Sequence, residues 1–173
     1  MRPARQPSGL TLLELMIGLA IGAIVCALGV PAFGTWFAGQ QVQDRAEALL
    51  HTLDLARSEA VKHGDRVDVC PAGGTCDAGA LPWEAGWIVV PDANRDASRA
   101  IARERPASDG VTIRGNRPVA DYVSYTAAGH ARRFDGALQM GTFTICRTGQ
   151  RVRKVVLAGS GRARLETSTD ICP

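Results

Sequence analysis

The chain opens polar and basic, MRPARQPSG, and turns apolar at Leu10. From Leu15 to Gln43 no side chain carries a charge, and the one acid of the run, Glu14, stands near its start. A segment this long crosses a bilayer as a single helix, which takes about 20 apolar residues at about 1.5 Å each. A carboxylate near one end of it costs on the order of a few kcal/mol and calls for a neutralising partner. Gly29, Pro31 and Gly34 predict a kink or local melting, and Cys26 reads as a packed thiol. Beyond Gln40 the pattern changes without stopping. Val42, Ala46, Leu49, Leu50, Leu53, Ala56, Ala60 and Val61 recur at three- and four-residue steps, with Asp44, Arg45, Glu47, Asp54, Arg57, Glu59 and Lys62 mostly on the other face. Lys62 and His63 suit the negative end of a helix dipole, and Gly64 suits a left-handed cap. One helix is therefore expected from about Leu10 to His63. Its first half is long and apolar enough to cross a bilayer. Its second half offers an apolar stripe to a folded head.

After the helix the period shortens. Segments 66–70, 86–90, 99–103, 111–114, 122–126, 142–146, 152–158 and 162–166 are short, β-rich or alternating, and turn residues separate them. Gly159-Ser160-Gly161 predicts a tight hairpin between the last two. The expected fold class is α+β: a long N-terminal helix packed on an antiparallel β-sheet head.

Charge sharpens this. The net charge of +3 hides an uneven distribution, with residues 130–173 holding eight Lys/Arg against Asp135, Glu166 and Asp170. A basic C-terminal segment points to an acidic partner or to a solvated edge. The cysteines bear on compartment. A basic leader before an apolar segment leaves the N-terminus inside and exports the rest, to a place where disulfides persist. Cys70, Cys76, Cys146 and Cys172 allow three pairings. The favoured one closes a small Gly-rich loop with Cys70–Cys76 and ties down the tail with Cys146–Cys172. Zinc is the rival, but paired C-x-x-C units and nearby histidines are missing.

A secretory signal peptide would have a shorter apolar run and a small-residue site after it. Here Ser8-Gly9 precedes the run. PSG followed by LTLLE resembles the class III leader of type IV pilins and pseudopilins. That resemblance implies cleavage by a prepilin peptidase between Gly9 and Leu10, and N-methylation of Leu10. It also implies an assembly role for Glu14, the fifth residue from the cut, pairing with the N-terminal amine of a neighbouring subunit. Burying a carboxylate is tolerable when a cation neutralises it. Leu10 stands where phenylalanine is commoner. The resulting organisation is a leader over 1–9, a membrane or filament-core helix over 10–37, and a periplasmic head over 38–173, with its amphipathic helix over 38–63 and its β-region over 66–173.

The head narrows the resemblance. LDLARSEAVKHGDRVDVC, then Trp83 and GWIVVPDANRD, then GRAR are similar to the FimT/GspH group of minor pilins and pseudopilins over most of residues 10–167. Trp83, Trp87 and Asp92 fit the pattern as core and turn residues. In the FimT branch a G-R-x-R motif binds DNA during natural transformation, and here it stands at Gly161, Arg162, Ala163 and Arg164. Alternation on a strand puts Arg162 and Arg164 on one face and leaves Ala163 and Leu165 for the core. Arg151 and Arg153 would pair similarly on the preceding strand, making a ridge of four guanidiniums with Lys154 nearby. Guanidinium donors match phosphate oxygens bidentately. No Phe or Trp interleaves them, so stacking on single-stranded bases has no support. The implied partners are other pilins in a filament, the prepilin peptidase, the inner membrane before assembly, and double-stranded DNA. The alternative is a GspH-type pseudopilin of a type II secretion system that makes only protein contacts.

Other chemistries fare worse. Asp92, Asn94 and Asp96 have calcium-loop spacing, but Ala97 and Arg103 stand where such a loop needs Gly and Glu. His51, His63 and His130 form no metal or triad spacing, and no nucleophile elbow or phosphate-cradling loop is present. No enzyme activity and no cofactor are expected.

Overall fold

The computed structural model describes residues 11–72, 76, 82–91, 100–104 and 110–173, without the side chains of 30–32. The expected peptidase site at Gly9 and Leu10 and the Asp92–Asp96 segment lie outside them, as does the side chain of Pro31.

α1 runs from Leu12 to His63 as one continuous helix. The melting expected at Gly29, Pro31 and Gly34 does not occur. Lys62 and His63 close its last turn and Gly64 leaves it at φ 67°, the left-handed cap that glycine adopts without steric cost. The chain divides into two compact units, up to Phe37 and from Ala38 onward. In the first, Leu13, Ile17, Ile24, Leu28 and their neighbours are exposed, and α1 is long and apolar enough to cross a membrane. Cys26 is exposed rather than packed.

In the second unit the stripe is buried. Val42, Ala46, Leu49, Leu53, Ala56 and Ala60 are at most 1 % exposed. Val61 is not part of it, being 54 % exposed. Among the described residues, eight strands in two four-stranded antiparallel sheets pack against this stripe. One has the order β3-β2-β1-β5, from β1 (Val67–Pro71), β2 (Trp87–Pro91), β3 (Ala102–Glu104) and β5 (Val123–Tyr125). The other has the order β4-β6-β7-β8, from β4 (Thr112–Gly115), β6 (Gly141–Cys146), β7 (Arg151–Leu157) and β8 (Ala163–Ile171). β8 runs five residues further than its β-rich sequence suggests.

The two sheets differ in a way their sequences explain. VDVCP and WIVVP are near-continuous apolar runs, and both faces of their sheet are covered. Val67, Val69, Val89, Val123 and Tyr125 face α1 in the main core. Cys70, Cys76, Ile88 and Val90 form a second cluster with Tyr122 packed against it. Tyr122 stacks on Phe134 at 4.0 Å between ring centroids. GTFTIC and RVRKVVL instead alternate, so their sheet buries one face and leaves the other to solvent. Trp83 and Trp87 are core residues. Their indoles donate to the Ala120 carbonyl at 2.6 Å and to Thr52 Oγ1 at 2.9 Å, satisfying the one polar group each buries.

Candidate nucleic-acid interface

The basic motif begins at the turn between β7 and β8. Gly161 N donates to the Ala158 carbonyl at 2.8 Å, and Ala158 N to the Arg162 carbonyl at 3.0 Å. Gly161 lies at φ 83°, the left-handed position that ends a short hairpin loop. It is also buried, and a Cβ there would overlap the Gly129 carbonyl oxygen. That same oxygen accepts a 3.0 Å hydrogen bond from Arg57 Nε on α1. The turn is thus seated on residues 129–131, and these on the helix. Sequence reasoning found the glycine and missed its close approach to Gly129, 32 positions away.

Beyond the turn, Ala163 is buried and Arg162 and Arg164 are exposed on either side of it. Cross-strand register carries this face onward. Arg164 stands opposite Val156 and Glu166 opposite Lys154 on β7, and Lys154 stands opposite Thr144 on β6. Arg162, Arg164 and Lys154 therefore share the solvent face of this sheet.

The ridge of four guanidiniums does not form. Arg153 stands opposite Ile145 and Thr167, in phase with buried Val155 and Leu157. It is on the other face of β7 and donates to Thr167 Oγ1. Arg151 is exposed opposite Ile171, past a register irregularity between Arg151 and Arg153. Alternation splits Arg153 from Lys154 even though they are neighbours in sequence.

Acids temper the remaining cations. Glu166 Oε1 accepts from Arg164 Nε at 2.8 Å and lies 2.7 Å from its Nη2. Asp170 lies 3.9 Å from Lys154. Among the described residues Arg162 and Arg151 make no ion pair. On β4, Arg114 pairs with Glu84. Burial alone would raise the Glu84 carboxyl, but the Arg114 hydrogen bond and charge, with backbone amides, outweigh it and hold it below its ordinary value.

The other expected residues are placed as follows. Cys70 is bonded to Cys76 and Cys146 to Cys172. The second bridge joins the end of β6 to the chain's tail, where Cys172 also exchanges backbone hydrogen bonds with Gly149 and Gln150. Glu14 is exposed in the first turn of α1, its amide donating to Thr11 Oγ1 at 3.3 Å. Among the described residues no group of three or more His, Cys, Asp or Glu could hold a metal.

The fold has known counterparts. Two crystal structures of the Pseudomonas aeruginosa type IV minor pilin FimU are similar. One is 20 % identical, with TM-score 0.61 over 76 % of this chain and 95 % of that one. The other is 21 % identical, with TM-score 0.58 over 74 % and 98 %. The minor pseudopilin EpsH of the Vibrio cholerae type 2 secretion system aligns at 13 % identity and TM-score 0.49, over 75 % and 99 %. No curated protein matches significantly. A prokaryotic N-terminal methylation motif matches residues 5–30. The type II transport protein GspH family matches residues 45–161, more than half of the chain. The protein therefore belongs to the GspH family of type II transport proteins, carries a prokaryotic N-terminal methylation motif, and has an α+β head with the fold of the minor pilin FimU.

Proposed function

We propose that this chain is a minor pilin of a type IV pilus that binds duplex DNA without sequence preference and serves DNA uptake in natural transformation. The supporting observation is the β7–β8 turn, where Arg162 and Arg164 are exposed on either side of buried Ala163. Gly161 seats that turn on Gly129. Lys154 on β7 stands opposite Glu166 and diagonal to Arg164, about 7–8 Å away, while Arg153 stands apart on the opposite face. Such a site meets phosphates, so its binding is salt-dependent and blind to sequence.

The test is fluorescence anisotropy of a labelled duplex with the full chain in nonionic detergent over a salt series. Arg162→Gln with Arg164→Gln should weaken binding and flatten the log–log salt slope by about two contacts' worth, roughly 1.8. A double variant that binds like the unchanged protein overturns the assignment.

A second reading, a type II secretion pseudopilin that makes only protein contacts, is favoured by the Arg164–Glu166 and Lys154–Asp170 pairs, which leave the face nearly neutral. A deletion strain complemented with the Arg162/Arg164 variant separates the two. Loss of transformation with normal secretion supports DNA uptake, and the converse supports secretion.

A further inference from the structure

We propose that Glu166 sets the strength of DNA binding by competing with phosphate for Arg164, a step that rests on reading the β7–β8 turn as the DNA contact. Glu166 Oε1 accepts from Arg164 Nε and sits 2.7 Å from Nη2, against the Nε–Nη2 edge of the guanidinium. The Nε–Nη2 edge is one of the two-donor edges with which a guanidinium grips a phosphate bidentately. Glu166 follows Arg164 by two positions on β8, so the pleat keeps both on one face and the backbone holds the acid at a high effective concentration. Both side chains are at the surface, 57 % and 45 % exposed, where an ion pair is weak enough to be exchanged. Lys154 stands opposite Glu166 and lies beside Asp170. Arg162 makes no ion pair among the described residues. The two arginines of the motif therefore meet DNA unequally. Arg162 takes a phosphate directly, and Arg164 does so only after Glu166 has been displaced.

Glu166→Gln keeps the size and hydrogen-bonding shape of the side chain and removes its charge. The measurement is duplex binding by the full chain in nonionic detergent at low salt, for the unchanged protein, Glu166→Gln, Arg164→Gln and the pair. Asp135→Asn, which removes an acid paired to Arg133 at 3.4 Å, is the charge control. Glu166→Gln should tighten binding about two- to fivefold. That gain should vanish when Arg164 is also replaced, and Asp135→Asn should not reproduce it. If the unchanged protein binds and Glu166→Gln brings no gain, the competition does not exist. If the gain survives in the Arg164→Gln background, it is a general charge effect and the proposal falls. If the unchanged protein does not bind duplex DNA at all, the functional reading fails first and takes this one with it.

Discussion

Gly161 and its neighbour Arg162 sit side by side in one motif and do unrelated jobs. Gly161 needs a left-handed φ and a close approach to Gly129 that a missing Cβ permits. Alanine there must strain the backbone and push against a backbone carbonyl, which moves less readily than a side chain. Gly161→Ala should cost at least about 2 kcal/mol, read as a lower melting temperature. Arg162→Gln, at an exposed position, should leave melting within about 0.5 kcal/mol of the unchanged protein and alter only duplex binding. If both variants melt alike, the packing role assigned to Gly161 is wrong. The sequence showed the glycine and the arginines but not their division of labour. Arg153 marks the same boundary. Alternation paired it with Arg151 on the basic ridge, and only register put it on the far face of β7.

Elements were more legible than the contacts between them. The apolar period of α1 picked out Val42, Ala46, Leu49, Leu53, Ala56 and Ala60 because helical geometry alone brings them to one face. Val61 falls at the edge of that arc and stays exposed beside Gly129. The eight strands among the described residues stand near their β-rich segments, since a strand's local signal is short-range. Their sorting into two sheets was not legible, because β1 pairs with β5 across more than fifty residues and β4 with β6 across almost thirty. Two cross-links between elements can be tested. Cys146–Cys172 closes a loop of 26 residues, so Cys172→Ser should cost about 3 kcal/mol under oxidising conditions. Unchanged melting would deny the bridge a stabilising role. Glu84 ties the Trp83–Ala85 turn to β4 through Arg114. Its carboxyl is held below the ordinary value when folded. Its ionised form therefore adds stability above the unfolded carboxylate range, and that stability is lost as pH falls through the folded value. Glu84→Gln should lower the melting temperature at pH 7, and the gap should close on acidification toward pH 3. A gap independent of pH would remove the ionic contribution.

At the scale of the whole molecule, burial divides the chain. Its apolar helical half is exposed, a state suited to a bilayer or to the core of a filament and not to water. The proposed maturation follows from that half and its leader: cleavage between Gly9 and Leu10, methylation of Leu10, and neutralisation of Glu14 by the N-terminal amine of another subunit. Glu14→Ala should leave cleavage intact, seen by mass spectrometry as a chain beginning at methylated Leu10, yet keep the subunit out of sheared filaments. Normal incorporation of that variant would overturn the assembly role. The sequence by itself determined what depends on local order along the chain: the apolar run, its abrupt start at Leu10, the amphipathic continuation and the class of the head. The tertiary structure decided what depends on residues far apart meeting. It split the strands into two sheets, seated Gly161 on Gly129, moved Arg153 off the basic face and set Glu166 against Arg164. Helical and strand periods are written in neighbouring residues, whereas register and close approach follow from pairings that only the folded chain selects.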